Sequence, residues 1–302
     1  MEKVEYKGWK NCYKLANGVV DMVVTADVGP RVIRFGFAGG ENEFKNYEDM
    51  LGKTGGDEWL IYGGHRLWHA PEDKPRSYFP DNAPVEVEDN GSYVRFTPPL
   101  ETTCGIQKQI DIALDPKEAR ATIVHRITNK NLWAVQLAPW ALSVMAQGGK
   151  VIIPVPPRGS HEEHLLPTHT LTMWAYSDMS DPRWTWGEKY ILLQQDAAAE
   201  KPQKVGAAVP DGWAAYANGG RLFVKTFVHD CCATYPDAGC SVETFTNADM
   251  IELETVGPLI TLAAGCSVEH VETWHLFKDV PVPTNDADVE KDVKPLVESI
   301  FS

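Results

Sequence analysis

Two stretches of the chain hold the residue types that acid–base chemistry needs. The first, Tyr62–Glu72, places His65 and Arg66 directly after two glycines. Histidine exchanges protons near neutral pH, and the planar arginine fork binds oxygen ligands. We expect both side chains to stand on a turn, where the glycines let a ligand approach the backbone closely. The alternative is a structural turn in which Arg66 pairs with Glu72 or Asp73.

The second stretch is a predicted strand, Met250–Val256, that carries two glutamates. Glu252 and Glu254 are two residues apart and therefore share one face of the strand. Close carboxylates repel each other when both are ionised, which raises one pKa and prepares a general base. The alternative is a solvent-facing strand with two ordinary surface acids. The flanking predicted strands favour a polar cleft, because they add four more residues to such a face: Glu243, His270, Glu272 and Trp274.

Ten tryptophans suggest the kind of ligand that such a cleft would bind. Trp68, Trp140 and Trp274 stand beside polar residues or prolines in the sequence. A flat aromatic face with a polar edge suits a sugar, which combines C–H surfaces with hydroxyls. The alternative for any single tryptophan is core packing, since aromatic side chains are large hydrophobes first.

The remaining histidines and serines offer weaker signals. His161, His164 and His169 lie in a proline-bounded stretch whose spacing would fit a metal site, but no helix or cysteine fixes the geometry. A loop bordering the cleft is the preferred interpretation of that stretch. His125 alternates with Ile123 and Ile127, which indicates a core histidine. No Gly-x-Ser-x-Gly motif is present, so nothing supports acyl transfer.

Alternation of apolar and polar residues with period two dominates the chain and predicts an all-β fold. Asp89-Asn90-Gly91 is a strong hairpin turn between two of the strands. Asp286–Phe301 is the one fair helix, with Asp286 as its cap and Pro295 as an interruption. We expect a single antiparallel β domain over residues 1–302, with a core at about 10–278 and a tail at 279–302. The predicted strands are Val19–Thr25, Arg31–Phe37, Val85–Val87, Tyr93–Phe96, Ile110–Leu114, Ala121–Thr128, Tyr190–Gln194, Arg221–Val228, Cys240–Phe245, Met250–Val256 and Val268–Phe277.

Composition excludes several classes of function. The 302 residues include 28 Lys plus Arg and 42 Asp plus Glu, for a net charge of −14, with 43% hydrophobic and 23% charged residues. These values are typical of a globular protein and argue against nucleic acid or an anionic membrane as a partner. The charged first seven residues show no export signal, so we expect a cytoplasmic protein whose six cysteines are free thiols.

The order of the motifs resembles the aldose 1-epimerase (galactose mutarotase-like) superfamily, in a bacterial branch, over residues of about 15 to 278. Tyr62–Glu72 is similar to the region that supplies that family's first active-site histidine and arginine. The other matching segments are Val19–Gly39, like the opening hairpin; Glu41–Phe44, like the segment after it; Ile127–Asn129, like the strand end before a second histidine; Glu252–Glu254, like the catalytic-glutamate strand; and Leu262–Gly265, like the turn before the last strand.

The resemblance implies a large antiparallel β-sandwich with a short helical tail, and an enzyme that interconverts sugar anomers. Glu254 or Glu252 would be the base and His65 the acid, and Arg66 would orient hydroxyls or a sugar carboxylate. No metal or organic cofactor would be required, and a small sugar would be the partner of a monomer or homodimer. The other implied substrate-binding residues are Trp68, Glu72, Trp140, Glu243, His270, Glu272 and Trp274.

One departure from the family pattern keeps other functions open. The second family histidine should fall within Leu137–Val144, where Trp140 stands instead, so the usual general acid is absent. A carbohydrate-binding protein without catalysis is therefore an alternative. A lyase or hydrolase acting on a modified sugar is another, with Tyr62, Tyr78 or His69 near the reacting carbon.

Overall fold

The computed structural model describes all residues from 1 to 302 as two packed antiparallel sheets and a helical tail. Its strands are β1 (Glu2–Tyr6), β2 (Trp9–Ala16), β3 (Val20–Thr25), β4 (Val32–Phe37), β5 (Gly64–Ala70), β6 (Glu86–Asp89), β7 (Val94–Thr97), β8 (Ile106–Leu114), β9 (Arg120–Asn129), β10 (Val135–Met145), β11 (Lys150–Pro154), β12 (Leu171–Met173), β13 (Trp184–Trp186), β14 (Tyr190–Gln194), β15 (Gln203–Ala207), β16 (Trp213–Asn218), β17 (Arg221–Phe227), β18 (Val242–Thr246), β19 (Ile251–Val256), β20 (Ile260–Leu262) and β21 (Ser267–Lys278).

The first sheet has eleven strands and the second has ten. Ten strands of the first sheet follow the order β1-β2-β3-β4-β5-β10-β19-β18-β15-β12. The eleventh, β20, lies outside this order and pairs with β10. The second runs in the order β13-β14-β11-β16-β17-β21-β9-β8-β7-β6. The prediction of a large antiparallel β-sandwich is therefore confirmed.

The hydrophobic core lies between the two sheets. It takes alternate residues of each strand, such as Ile110 and Ile112 of β8 and Ile123 and Ile127 of β9. The central strands of the first sheet depart from this alternation: every residue of β5 and β19 is buried. Residues outside the strands, such as Trp59, Tyr78 and Leu259, pack on the outer face of the central strands, so side chains there are shielded on both sides.

The C-terminal tail is helical, as predicted, but it begins differently. An α-helical turn (Asp286–Asp288), a π-helical turn (Val289–Val293) and an α-helix (Lys294–Phe301) follow one another. Asn285, not Asp286, caps the start, because the Asp286 carboxylate instead accepts backbone N–H groups of Glu188 and Lys189 at 2.7 and 2.9 Å. Pro295 stands in the first turn of the last segment, where a missing N–H costs little. The tail packs its valines on the outer face of the second sheet.

The structure contains no helix long and apolar enough to cross a membrane. All six cysteines are unpaired. Burial raises the pKa of the Cys12 and Cys240 thiols to about 12. Because the thiolate is the reactive form, these two cysteines are inert packing groups rather than nucleophiles.

Candidate active site

A cleft crosses the outer face of the first sheet, on the side away from the core. Strand pairing aligns Arg66 of β5 with Leu142 of β10, Leu142 with Glu254 of β19, and Glu254 with Glu243 of β18. Side chains two residues apart on these strands point the same way. The sequence-predicted residues that line the cleft are Arg66, Trp68, Glu72, Trp140, Glu243 and Glu252. Glu254 lies fully buried beside this lining, opposite Glu243 and Leu142.

His65 does not reach this cleft, so the prediction that it would face the glutamates is wrong. It lies within β5 rather than on a turn, and its neighbour Arg66 takes the outer face. The turn ends just before, where Gly63 and Gly64 adopt φ values of 100° and 71°. A Cβ on either glycine would collide with a backbone carbonyl, so the tight turn needs glycine at both positions. Burial holds the pKa of His65 well below its usual value, which keeps the ring neutral between the sheets.

His270, Glu272 and Trp274 are also absent from the cleft. They lie on β21, which belongs to the second sheet and is not a neighbour of β19. Glu272 accepts hydrogen bonds from Lys225 Nζ at 2.8 Å and from Trp274 Nε1 at 2.7 Å. Burial opposes its ionisation, but Lys225 and the neighbouring histidines His65, His125 and His270 together outweigh that effect and hold the pKa of Glu272 below its usual value. This ion pair joins strands within the core, so its role is structural.

The core histidine predicted at His125 is confirmed, and it completes this network. Its Nδ1 donates to the carbonyl of His270 at 3.0 Å, and its Nε2 lies 2.7 Å from Nε2 of His65. The second ring nitrogen of His65 bonds Ser143 Oγ at 2.8 Å. His65, His125 and Glu272 form the one group of three metal-ligand residue types whose donor atoms lie within 4.8 Å of one another. All three already bond protein groups, which fits a hydrogen-bonded core better than an ion.

The chemistry of the cleft centres on a buried ammonium between two buried carboxylates. Lys204 Nζ lies 2.8 Å from Glu243 Oε2 and 3.3 Å from Glu254 Oε2. Trp140 Nε1 donates to the same oxygen of Glu254 at 2.8 Å. Oε1 of each glutamate has no hydrogen-bond partner. Each carboxylate therefore keeps one buried oxygen without a donor.

Burial and mutual repulsion set the protonation of this centre. Burial raises the pKa of Glu243 to about 8, and the nearby Glu254 carboxylate adds to the shift while Lys204 opposes it. Burial also raises the pKa of Glu254, against the lowering effects of Lys204 and the Trp140 N–H. Burial disfavours the Lys204 ammonium, but the two carboxylates outweigh it and raise the pKa of Lys204. At neutral pH the centre thus holds a protonated Glu243 beside a charged lysine.

Arg66 and Glu252 form the second charged group of the cleft. Arg66 Nη2 donates to Glu252 Oε1 at 3.2 Å, so Arg66 does not pair with Glu72 or Asp73 as the structural alternative required. The guanidinium lies 5.2 Å from the ring centre of Trp59 and 4.6 Å from that of Trp68. Its Nε and Nη1 are buried without partners.

Aromatic side chains form the walls of the cleft. Trp68 contacts Trp59, Tyr78 and Trp140 edge to face, with ring centres 4.9 to 5.4 Å apart. The inner half of the cleft has a volume of about 230 Å³ and the outer half about 320 Å³. The lining residues that sequence reasoning did not assign to substrate binding are Trp59, Ile61, Asp73, Lys74, Tyr78, Leu142, Trp174, Tyr176, Lys204, Asp237, Phe245 and Met250.

The residues considered for lyase chemistry are scattered. Tyr62 is buried and donates to Asn82 Oδ1 at 3.0 Å, and His69 points into the core. Of the three candidates only Tyr78 lines the cleft, where its hydroxyl bonds Glu72. The stretch with His161, His164 and His169 precedes β12 and brings no metal-ligand cluster together.

Comparisons with known proteins identify the fold. No protein-family model matches the chain, and no curated protein matches it. A galactose mutarotase-like protein from Lactobacillus casei ATCC 334 superposes with a TM-score of 0.56 at 12% identity, over 88% of this chain and 100% of that one. A candidate aldose 1-epimerase from Escherichia coli K12 gives a TM-score of 0.56 at 11% identity, over 89% and 99%. A TPR-domain containing protein from Parabacteroides distasonis ATCC 8503 gives 0.59 at 15% identity, over 90% and 48%.

At these identities the likeness concerns the backbone and its topology rather than the chemistry of the site. It covers nearly the whole of this chain and nearly the whole of two of the three structures. The resemblance that the sequence motifs carried is thus confirmed at the level of the fold: the chain folds as a galactose mutarotase-like β-sandwich.

Proposed function

We propose that this protein is a sugar isomerase of the aldose 1-epimerase type in which two glutamates do the acid–base work. The observation that carries the proposal is the pair Glu243 and Glu254, directly opposite each other on β18 and β19 and bridged by Lys204 in an aromatic cleft. Burial raises the pKa of both carboxyls, and the Glu254 carboxylate adds to the rise at Glu243, so the pair favours one protonated and one ionised partner, as acid–base catalysis needs.

The reaction requires one base and one acid, and it has no net change in protons. Glu254, whose ionised form the Trp140 N–H and the Lys204 ammonium stabilise against burial, accepts the proton of the anomeric hydroxyl. Protonated Glu243 gives its proton to the ring oxygen, so the C1–O5 bond breaks and the open-chain aldehyde forms. Rotation about C1–C2 and the reverse transfers close the ring as the other anomer. Oε1 of each carboxyl is buried without a protein partner, and the mechanism assigns these two atoms to the sugar.

The rest of the cleft supports binding rather than proton transfer. Arg66 retains two buried N–H groups that suit sugar hydroxyls, and Glu252 neutralises its charge. The aromatic walls, with Trp68 and Trp140 at their centre, suit the C–H faces of a pyranose. His65 has no part in this mechanism, because the sheet separates it from the substrate.

Mutarotation of freshly dissolved α-D-glucose and α-D-galactose, followed by polarimetry, tests the proposal. We expect Glu254→Gln and Glu243→Gln each to lower the enzymatic rate by about 10²–10⁴-fold. Glu5→Gln, at an exposed position on β1, is the matched control and should leave the rate unchanged. Unchanged rates in both cleft variants, with native circular dichroism, would remove the two carboxylates from the mechanism.

A carbohydrate-binding protein without catalysis is the second candidate. Trp140 occupies the position where the sequence resemblance expects a histidine, and its N–H holds Glu254 in place. Lys204 is paired with both glutamates and Arg66 with Glu252, and charged groups paired in this way favour binding over proton transfer. Saturable sugar binding by calorimetry, with no acceleration of mutarotation over buffer, would support this candidate and oppose the first.

A further inference from the structure

A second cavity lies on the opposite side of β5 from the cleft, between the two sheets. Leu67 of β5 and Ile110 of β8 form its apolar floor, and both side chains belong to the buried core. Neighbouring residues of a strand point to opposite faces, so Leu67 faces this cavity while Arg66 and Trp68 face the cleft. The cavity is therefore a separate space, which the proposed reaction does not use.

This cavity is small, and it opens to solvent. Its volume is about 110 Å³. A protein cavity of about 150 Å³ accommodates one benzene molecule, so this one has room for about six heavy atoms. Its outer part is lined by Phe79, which is half-buried, and by Ala83, which is exposed on the loop between β5 and β6. A small solute can therefore enter between these two residues.

Two buried ion pairs form the polar part of the lining. Arg31 is 1% exposed and pairs with Asp81 through both terminal nitrogens of its guanidinium. Lys108 of β8 is 6% exposed, and its Nζ lies 2.6 Å from Glu101 Oε1. Charged side chains are seldom buried unless they are paired, and each of these has its own partner. The four charges of the lining therefore cancel.

The hydrogen bonds of these pairs leave donors over, but no carboxylate acceptors. Arg31 occupies both oxygens of Asp81. Lys108 occupies one oxygen of Glu101, and Cys104 Sγ donates to the other at 3.3 Å. By contrast, Arg31 Nε is buried without an acceptor, and Lys108 has three N–H groups but a single ionic partner. A buried donor without a partner costs free energy, which a ligand with an oxygen acceptor recovers.

We propose that this cavity is a second ligand site, which binds a small aliphatic carboxylate of about six heavy atoms. The carboxylate accepts hydrogen bonds from Arg31 Nε and the Lys108 ammonium, and the hydrocarbon part packs on Leu67, Ile110 and Phe79. The inference goes beyond the proposed function and does not depend on it.

The ligand class follows from the charge of the donors. Hydrogen bonds that involve ionised groups are about twice as strong as neutral ones, so an anionic acceptor suits these donors better than a neutral carbonyl. An ammonium ligand finds every carboxylate oxygen of the lining already engaged. The net charge of −14 opposes anions only weakly, because physiological salt screens charges beyond about 8 Å.

Methyl NMR titration of the full chain with butyrate, 2-pentanone and butylammonium tests the inference without any sugar. The three probes are similar in size and differ in charge. We expect saturable binding of butyrate that shifts the methyl signals of Ile110 and leaves those of Ile61, in the cleft, unchanged. Butyrate should bind at least about tenfold more tightly than the other two probes, since it alone offers a charged acceptor.

Two variants test the location and the chemistry of the site. Ala83→Phe fills the entrance without removing a buried charge, so it should abolish the butyrate shifts at Ile110. Ala197→Phe, at an exposed alanine on the loop after β14, is the matched control and should leave those shifts unchanged. Lys108→Gln combined with Glu101→Gln replaces the ion pair by two amides, and should remove the preference for butyrate over 2-pentanone.

The outcomes distinguish this inference from the proposed function. Butyrate shifts at Ile110 that are lost in Ale83 variants of this kind, but kept in the control, would support the inference even if the protein does not accelerate mutarotation. Shifts confined to Ile61 would place butyrate in the cleft and overturn it. Equal affinity for butyrate and butylammonium, undiminished binding by Ala83→Phe, or no saturable binding would also overturn it.

Discussion

The pH dependence of mutarotation is the sharpest consequence of the glutamate pair. In the proposed mechanism Glu243 acts as the acid only while it is protonated, and burial raises its pKa to about 8. It is then about 90% protonated at pH 7 and about 10% protonated at pH 9. We therefore expect kcat/KM to fall about tenfold between pH 7 and pH 9. An ordinary surface glutamate, with a pKa of about 4.3, would give no fall in that range.

The assay is polarimetry at several sugar concentrations, with the buffer rate subtracted at each pH because hydroxide itself catalyses ring opening. Glu243→Gln tests the assignment further. Because Gln cannot give a proton, the residual activity of this variant should not fall between pH 7 and pH 9. Glu5→Gln should show the same fall as the wild type. An alkaline limb that persists in Glu243→Gln, or a wild-type rate that is flat from pH 7 to pH 9, would refute the role of Glu243 as the acid.

Three further predictions concern the groups that support this pair. Trp140→Phe keeps an aromatic ring but removes the N–H that donates to Glu254, so the pKa of Glu254 should rise. The pH below which kcat/KM falls should therefore increase by up to about one unit. An unchanged pH profile would contradict the role of that hydrogen bond. Lys225→Met leaves the buried carboxylate of Glu272 without its cation. The free energy of unfolding, measured in urea, should fall by about 3–5 kcal/mol. A fall of less than about 1 kcal/mol would show that the ion pair is not structural. Burial lowers the pKa of His270 in the folded protein to about 3. As the pH falls below about 6.5, the unfolded chain therefore takes up a proton on this histidine before the folded protein does. The free energy of unfolding should decline by up to about 1.4 kcal/mol per pH unit down to about pH 3. His270→Gln should show a smaller decline in urea titrations over that range.

The sequence predicted best the strands that are half-buried. Ile110 and Ile112 alternate with polar residues, and the strand expected there extends as β8 from Ile106 to Leu114. β5 and β10 were not predicted from the sequence. Both strands are covered on both faces, and β10 is therefore an almost continuous apolar run that contains a proline. β19 is buried on both faces as well, but its glutamates alternate with Ile251 and Leu253, so it was predicted. β10 lacks such alternation, because both of its faces are mainly apolar.

In the site as well, features set by local spacing were predicted, and features set by long-range strand pairing were not. That Glu252 and Glu254 share a face follows from their spacing alone, and the structure agrees. The pairing of Arg66 with Glu252 joins residues 186 positions apart, which no local pattern reveals. Lys204 gave no signal either, because a single lysine in a short strand resembles any surface lysine. The error over His65 was one of parity: His65 and Arg66 were both assigned to the cleft, but adjacent residues of a strand point to opposite faces, so only Arg66 reaches it.

The alternation of inward and outward side chains also determines how the cleft residues are held in position. Ser143 of β10 and Thr255 of β19 face inward and bond His65 and His270, while the next residues, Leu142 and Glu254, face the cleft. Fixing the inward side chains fixes the pleat of each strand, and thereby the direction of the outward ones. His65, which the sequence suggested as the catalytic acid, is thus better understood as part of the support of the proposed catalytic face. Its loss would disturb the distance between the glutamates without touching a substrate.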